Sequence, residues 1–219
     1  MVVRIVKTVI LKVKRSIYWF LLRIRGIVVP VKLSDWAIGY DDLLLIEREI
    51  NRFVQRKEVN VLEFGSGTST LAILAKLEKS FAGAYRFVSI EADQVWFDKV
   101  SCEVKHFYPN AGKVSLIKSH YVVKNGGYGF DLTQLREEAK GIFFDVILVD
   151  APPDDHGENV RLDLCNEVIP MLHHKGVLIL HDTNRINELF AVCNLSEKFY
   201  MCHSHQTEKG LTIFRFPRE

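Results

Sequence analysis

Several absences narrow what this 219-residue chain can be. It has only four cysteines (Cys102, Cys165, Cys193 and Cys202), scattered and with no C-x-x-C pair. They read as reduced core or surface thiols of a cytosolic protein. Neither they nor His203-Ser204-His205 have the spacing of a structural zinc site. Near the N-terminus the longest uncharged run, Ser16 to Leu22, falls far short of the ~20 apolar residues that cross a bilayer. No small-x-small cleavage site follows it, which speaks against a secretory signal. Acidic residues are missing before Asp35, whereas Arg4, Lys7, Lys12, Lys14, Arg15, Arg23, Arg25 and Lys32 all fall there. The rest of the chain then holds 21 basic against 27 acidic residues, a net −6. That argues against a nucleic-acid-binding face made by the domain as a whole. Internal repeats and low-complexity tracts are absent too.

What is present is the composition of a folded globular protein, 48% hydrophobic and 26% charged. The length fits a single domain with an ample core. Residues 1–29 form a separate element. Val2, Val6, Val9, Ile10, Val13, Ile17, Phe20, Leu21 and Ile24 recur at three- and four-residue steps, with Arg4, Lys7, Lys14, Arg15 and Arg25 opposite. This predicts a basic amphipathic helix over residues 2–25. Such a helix either lies peripherally in an anionic membrane interface, at the inner face, with Tyr18 and Trp19 among the headgroups, or packs on the domain or on a second subunit of a homo-oligomer. Residues 30–219 make up the main domain. Asp41 or Asp42 is expected to cap a helix running to about Lys57, with Leu44, Leu45, Ile50, Phe53 and Val54 inward.

The centre of that domain is Val61-Leu62-Glu63-Phe64-Gly65-Ser66-Gly67-Thr68-Ser69-Thr70. Val59 to Phe64 is an apolar run with one acid, the pattern of a strand buried on both faces. Leu71 to Leu77 is rich in helix formers. Between them, glycines allow a sharp turn and close approach of a ligand, and the next helix offers unpaired N–H groups. The turn lacks the Gly-Lys-Ser/Thr ending of a phosphate-binding loop, and Thr70 occupies the third glycine position of the dinucleotide fingerprint. Further strands are expected at Tyr85 to Ile90, Val114 to Ile117, Phe143 to Val149 and Gly176 to Leu180. Helices are expected from Asp93 to His106, Asn159 to His173 and Asn187 to Leu195. Between Lys124 and Lys140, a flexible Asn125-Gly126-Gly127-Tyr128-Gly129 loop is expected before a polar helix. Acids close several strands: Glu91, then Asp150, then Asp182 after His181. Lys198 to Cys202 and Leu211 to Phe216 read as a final antiparallel hairpin.

Glu63, Gly65, Gly67 and Ser69 stand where motif I of the class I S-adenosylmethionine-dependent methyltransferases has an acid, Gly-x-Gly and a small residue. The wording Glu-Phe-Gly-Ser-Gly-Thr-Ser-Thr resembles the small bacterial-type domains of that family, and the resemblance covers about residues 40–216. It implies an α/β, Rossmann-like doubly wound sheet, mostly parallel, with helices on both faces and a C-terminal antiparallel hairpin. It also implies S-adenosyl-L-methionine as cofactor. Glu63, Gly65, Ser66, Gly67, Ser69 and Thr70 would hold its methionine part, with Glu91 and Ala92 at the ribose. After the third strand the family often has an acid or amide near the adenine. This sequence has Ser119 and His120 there.

Asp150 would face both cofactor and acceptor, in line with ligands lying beyond the carboxyl ends of the strands. His181 is a candidate general base, since its unperturbed pKa of ~6.5 suits proton removal near neutrality. The alternative is a hydrogen-bonded structural histidine. Asp182 completes the candidate catalytic set. Asp150 and Asp182, with Asn184 or Thr183, also resemble the divalent-metal ligands of catechol-type O-methyltransferases, oxygen donors that suit Mg²⁺, although Thr183 interrupts the Asp-Asn pair of that family. The expected reaction is O-methylation of a small molecule or sugar. Two other readings stand beside it. One is an NAD-dependent oxidoreductase, because an acid such as Glu91 serves NAD equally well. The other is a non-catalytic, membrane-associated nucleoside-binding module.

Overall fold

The computed structural model describes residues 38–81, 84–109, 113–124, 127–153 and 156–216. The expected N-terminal amphipathic helix lies outside them. Among the described residues, no helix is long and apolar enough to cross a membrane.

Five apolar runs form the parallel part of the sheet: β1 (Val59–Phe64), β2 (Tyr85–Glu91), β3 (Val114–Lys118), β6 (Phe144–Val149) and β7 (Leu172–His181). The last two strands, β8 (Met201–His205) and β9 (Leu211–Arg215), are antiparallel. The order is β3-β2-β1-β6-β7-β9-β8. The chain therefore works outward from β1 to β3 and then restarts at β6 beside β1. This reversal opens a crevice at the carboxyl ends of β1 and β6, where ligands of open α/β sheets sit.

Strand residues alternate between the two sheet faces, as the two-residue period requires. Val59, Val61, Val146, Leu148, Val177 and Ile179 pack under α1 (Tyr40–Asn51), α2 (Thr68–Phe81) and α3 (Gln94–Phe107). Leu62, Phe64, Ile147, Val149, Leu178 and Leu180 pack under α4 (Thr133–Glu138), α5 (Val160–Val168) and α6 (Ile186–Ser196). Fully burying each such side chain contributes about 1.5–3 kcal/mol, which is why every residue of β6 can be apolar except Asp145.

The mostly parallel sheet, the helices on both faces and the terminal hairpin are as expected. Four local expectations are corrected. The glycine-rich segment after β3 is not simply a flexible loop, because β4 (Tyr121–Lys124) and β5 (Gly127–Phe130) pair as an antiparallel ribbon. Gly127 permits this, since a Cβ there would lie 2.6 Å from Val160. The helix after Asn159 stops at Val168, and a 3-10 turn through Met171 leads into β7, so His173 belongs to a strand. Helix α1 ends at Asn51 rather than Lys57, and Val54 is 46% exposed instead of inward. Gly39 is its N-cap, without a side-chain cap. The carboxylate of Asp42 is committed elsewhere.

Candidate active site at the carboxyl edge of the sheet

A cavity of about 500 Å³ opens over the β1–β6 crevice, within the range of small-molecule and cofactor sites. Gly65, Ser66, Gly67, Thr68 and Ser69 form one wall, with Glu91, Ala92, Asp93 and Trp96 beside them. Asp150, Ala151, Arg161, Asp182, Arg185 and Lys209 form the other, and Ile38, Tyr121, Pro153 and His156 complete it.

The glycine turn is held from behind. Gly65 has φ 96°, and a Cβ on it would lie 3.0 Å from that of Ala151, so only glycine lets β1 turn this close to the β6 exit. Gly67 differs, because a Cβ there would meet nothing within 4 Å. It borders open cavity, where a ligand can approach the backbone. Thr70 Oγ1 accepts the Gly67 N–H at 2.8 Å and donates to Glu63 Oε2 at 2.6 Å. Ser89 Oγ donates to the same carboxylate oxygen at 2.6 Å, and the Ser66 hydroxyl lies 2.8 Å from that of Ser89. Glu63 and Thr70 are thus fully buried under the turn and not on the cavity wall. They shape the turn and do not line the ligand space. Burial pushes the Glu63 carboxyl up to about 7, against the pull of its Ser69, Ser89 and Thr70 hydrogen bonds.

Glu91, at the tip of β2, does border the cavity. Its Oε1 accepts the N–H groups of Ala92 (2.8 Å) and Asp93 (2.7 Å), which fixes the carboxylate in place. Burial raises its pKa, and these backbone donors oppose the rise. Asp93 caps α3 through the Trp96 N–H at 2.8 Å, which sets Trp96 on the wall next to Glu91.

The expected adenine residues are not brought in. Ser119 Oγ donates to the Asp131 carbonyl at 2.9 Å, and the His120 side chain is 70% exposed beside Asp131. Neither borders the cavity, because β3 leads straight into the β4–β5 ribbon. The ribbon presents Tyr121 instead, its ring 4.2 Å from that of His156 and roughly perpendicular to it.

His181 is corrected in role. Its side chain is fully buried, with Nδ1 2.5 Å from Asp150 Oδ1 and Nε2 3.2 Å from Asp42 Oδ2. Burial alone would lower its pKa, but Asp150, Asp42 and Asp182 outweigh burial and hold it at about 9. Asp150 is lowered in turn: its own burial works against the shift, and His181, Arg161 and Lys209 overcome it. Both shifts favour the ion pair of imidazolium and carboxylate. With both nitrogens engaged by carboxylates and no place on the cavity wall, the imidazole has the surroundings of the hydrogen-bonded structural histidine. It is the buried counter-ion of Asp150.

Asp182 has φ 60°, in the left-handed region that side chains seldom adopt. Arg161 (3.2 Å) and Arg185 (3.1 Å) hold its carboxylate there. Asp150, His181 and Asp182 offer three ligand atoms within 4.8 Å of one another. Asp150 and Asp182 thus converge, but the other members of the catechol-type set do not join them as free ligands. Two guanidinium groups already neutralise Asp182, the Thr183 hydroxyl accepts from Thr212, and the exposed Asn184 amide donates to the Thr207 carbonyl. This arrangement does not fit a Mg²⁺ site of the catechol type.

Sequence reasoning read Asp42 only as a helix cap and passed over Arg161 and Glu188, yet each carried a signal. Asp42 lies four residues before Ile46 and eight before Ile50, both buried. Arg161 shares a stripe with Leu164, Cys165 and Val168, and Glu188 with Ala191 and Leu195. Charged residues on the apolar stripe of a helix are candidates for buried ion pairs.

No family model and no curated protein matches this sequence. Solved structures do match in three dimensions. A methyltransferase from Podospora anserina, crystallised with bound SAH, aligns with a TM-score of 0.60 at 16% identity, over 93% of this chain and 87% of that one. The chain has the class I methyltransferase fold. An O-methyltransferase from Bacillus cereus in complex with SAH shares this methyltransferase fold at TM-score 0.56 and 14% identity, over 92% and 97% of the two chains. An O-methyltransferase described as putative, from Klebsiella pneumoniae, does so at 0.59 and 14%, over 92% and 97%.

Proposed function

We propose that this protein is an S-adenosylmethionine-dependent methyltransferase that methylates an oxygen of a small molecule or sugar. The observation that carries the reading is the cavity itself. At the topological switch point, a glycine turn with open space over Gly67 faces a strand-end carboxylate, Asp150, with Glu91 held at the tip of the next strand. Two of the similar structures are named as O-methyltransferases and one of these carries SAH, which supports both cofactor and reaction class. The closing antiparallel hairpin favours this reading over an NAD-dependent oxidoreductase, whose dinucleotide-binding domain ends in parallel strands.

In this reading the amino-acid part of the cofactor lies against the turn Gly65–Ser69, approaching its backbone over Gly67, and Glu91 accepts hydrogen bonds from ribose hydroxyls. Trp96 and Tyr121 offer aromatic faces to the base. When bound, the cofactor would supply an electrophilic methyl group on a sulfonium, to be transferred to the acceptor oxygen with release of the thioether and of the hydroxyl proton. The protein's own task is alignment and exclusion of water. Asp150, kept anionic by His181, accepts the hydrogen bond of the acceptor hydroxyl and is the group placed to receive its proton.

Glu91→Ala tests the assignment of the ribose. Calorimetric titration should show SAH affinity reduced by about 10- to 100-fold, the cost of one or two hydrogen bonds to a charged acceptor. Affinity within a factor of two of the unmodified protein would remove Glu91 from the site.

A further inference from the structure

We infer that Asp42 is a positioning residue for the acceptor side of the cavity: its carboxylate clamps the imidazole behind Asp150 and, through Thr207, the β8–β9 turn that carries Lys209. The inference rests on the methyl-transfer reading only for the name given to that side.

Asp42 belongs to α1, which precedes the first strand, yet its side chain is fully buried against groups 139 and 165 residues away. Oδ2 lies 3.2 Å from His181 Nε2, and Oδ1 accepts the Thr207 hydroxyl at 2.5 Å. Thr207 Oγ1 in turn accepts the Gly210 N–H at 3.0 Å. The turn is also tied to the β7 exit, with Thr183 N–H on the Gly210 carbonyl and Asn184 N–H on that of Lys209, both at 3.1 Å. Lys209, which borders the cavity, thus sits on a turn that one carboxylate of α1 holds in place. Gly39 leaves room for it, since a Cβ there would lie 2.7 Å from Asp42 Oδ2. Desolvating a carboxylate is costly unless it is paired. Asp42 does not cap its own helix, so its burial is explained by these two contacts.

The groups facing His181 set the pH range of the clamp. They are Asp42 from α1, Asp150 from the end of β6 and the neighbouring Asp182, while Arg161 of α5 donates to the His181 carbonyl and Lys209 acts on Asp150. The folded pKa of about 9 lies above the ordinary 6.5. The stabilisation is therefore complete below pH 6.5, declines above it, and is lost as pH passes about 9.

The test is NMR titration of the His181 imidazole together with amide hydrogen exchange at Thr183, Asn184 and Gly210, in the unmodified protein, Asp42→Asn and Thr207→Val. Removing the Asp42 charge should lower the His181 midpoint by about one unit. It should also speed exchange at the turn by roughly tenfold or more. Thr207→Val should speed exchange while leaving the midpoint near its original value. A purely structural contribution of Asp42 would reduce the melting temperature without moving the midpoint, and that result overturns the inference. So does unchanged exchange in Thr207→Val, a readout that decides the matter even if Asp42→Asn does not fold. SAH titration of the unmodified protein tests the methyltransferase reading separately, because a failure there leaves the His181 midpoint as it is.

Discussion

Replacing Arg161 with methionine is expected to destabilise the protein by about 3–5 kcal/mol, the range for breaking a buried ion pair by removing one partner. The guanidinium is 4% exposed and serves five acceptors. Nε donates to the Pro152 carbonyl at 2.8 Å, one terminal nitrogen to the His181 carbonyl at 2.9 Å, and the other to the Asp150 carbonyl at 2.9 Å and Asp182 Oδ2 at 3.2 Å. Glu188 lies 3.5 Å from Nε. Methionine fills similar space but takes one guanidinium away from Asp182 and Glu188 and removes the donor to the carbonyls of Pro152, His181 and Asp150 at the exits of β6 and β7. Lysine restores the charge without the planar fork and should recover only a minor part of the loss. Urea unfolding measures the effect as a lower midpoint at unchanged slope. A change below 1 kcal/mol would mean that the loops hold together without this residue.

The second large effect concerns binding. Gly67→Asp should reduce SAH affinity by at least about 100-fold, equivalent to roughly 2.7 kcal/mol, with the melting temperature moving by no more than about 2 °C. The two outcomes separate because the backbone at Gly67 is not in the left-handed region and the added side chain enters open cavity. It places a fourth carboxylate near Glu91, Asp93 and Asp150, where the cofactor's own carboxylate is proposed to lie. Gly65 is no substitute as a probe, because its φ of 96° and the approach to Ala151 make any side chain there a folding defect as well. A Gly67→Asp protein that binds SAH normally would place the ligand elsewhere.

Much of this architecture was legible in the sequence because local patterns encode it. Apolar runs gave the strands of the parallel sheet, the glycines gave the turn after β1, and the acids at Glu91, Asp150 and Asp182 marked the edge where the cavity opens. The β4–β5 ribbon was not legible, because its glycines read as flexibility, and only packing against Val160 makes Gly127 a requirement. The role of His181 was hidden for a different reason. Its environment is set by carboxylates 139 and 31 positions away, and no window of neighbouring residues contains them. Asp42 looked like a helix cap, since an acid in a first turn normally serves there. Its place on the buried stripe with Ile46 and Ile50 was the stronger sign.

The central claim is that the cavity over the β1–β6 crevice takes S-adenosylmethionine, and calorimetric titration of the unmodified protein with SAH, run beside NAD⁺, tests it most directly. The account predicts one-to-one binding of SAH at micromolar concentration and none of NAD⁺. Binding of NAD⁺ without SAH, or of neither, would contradict it.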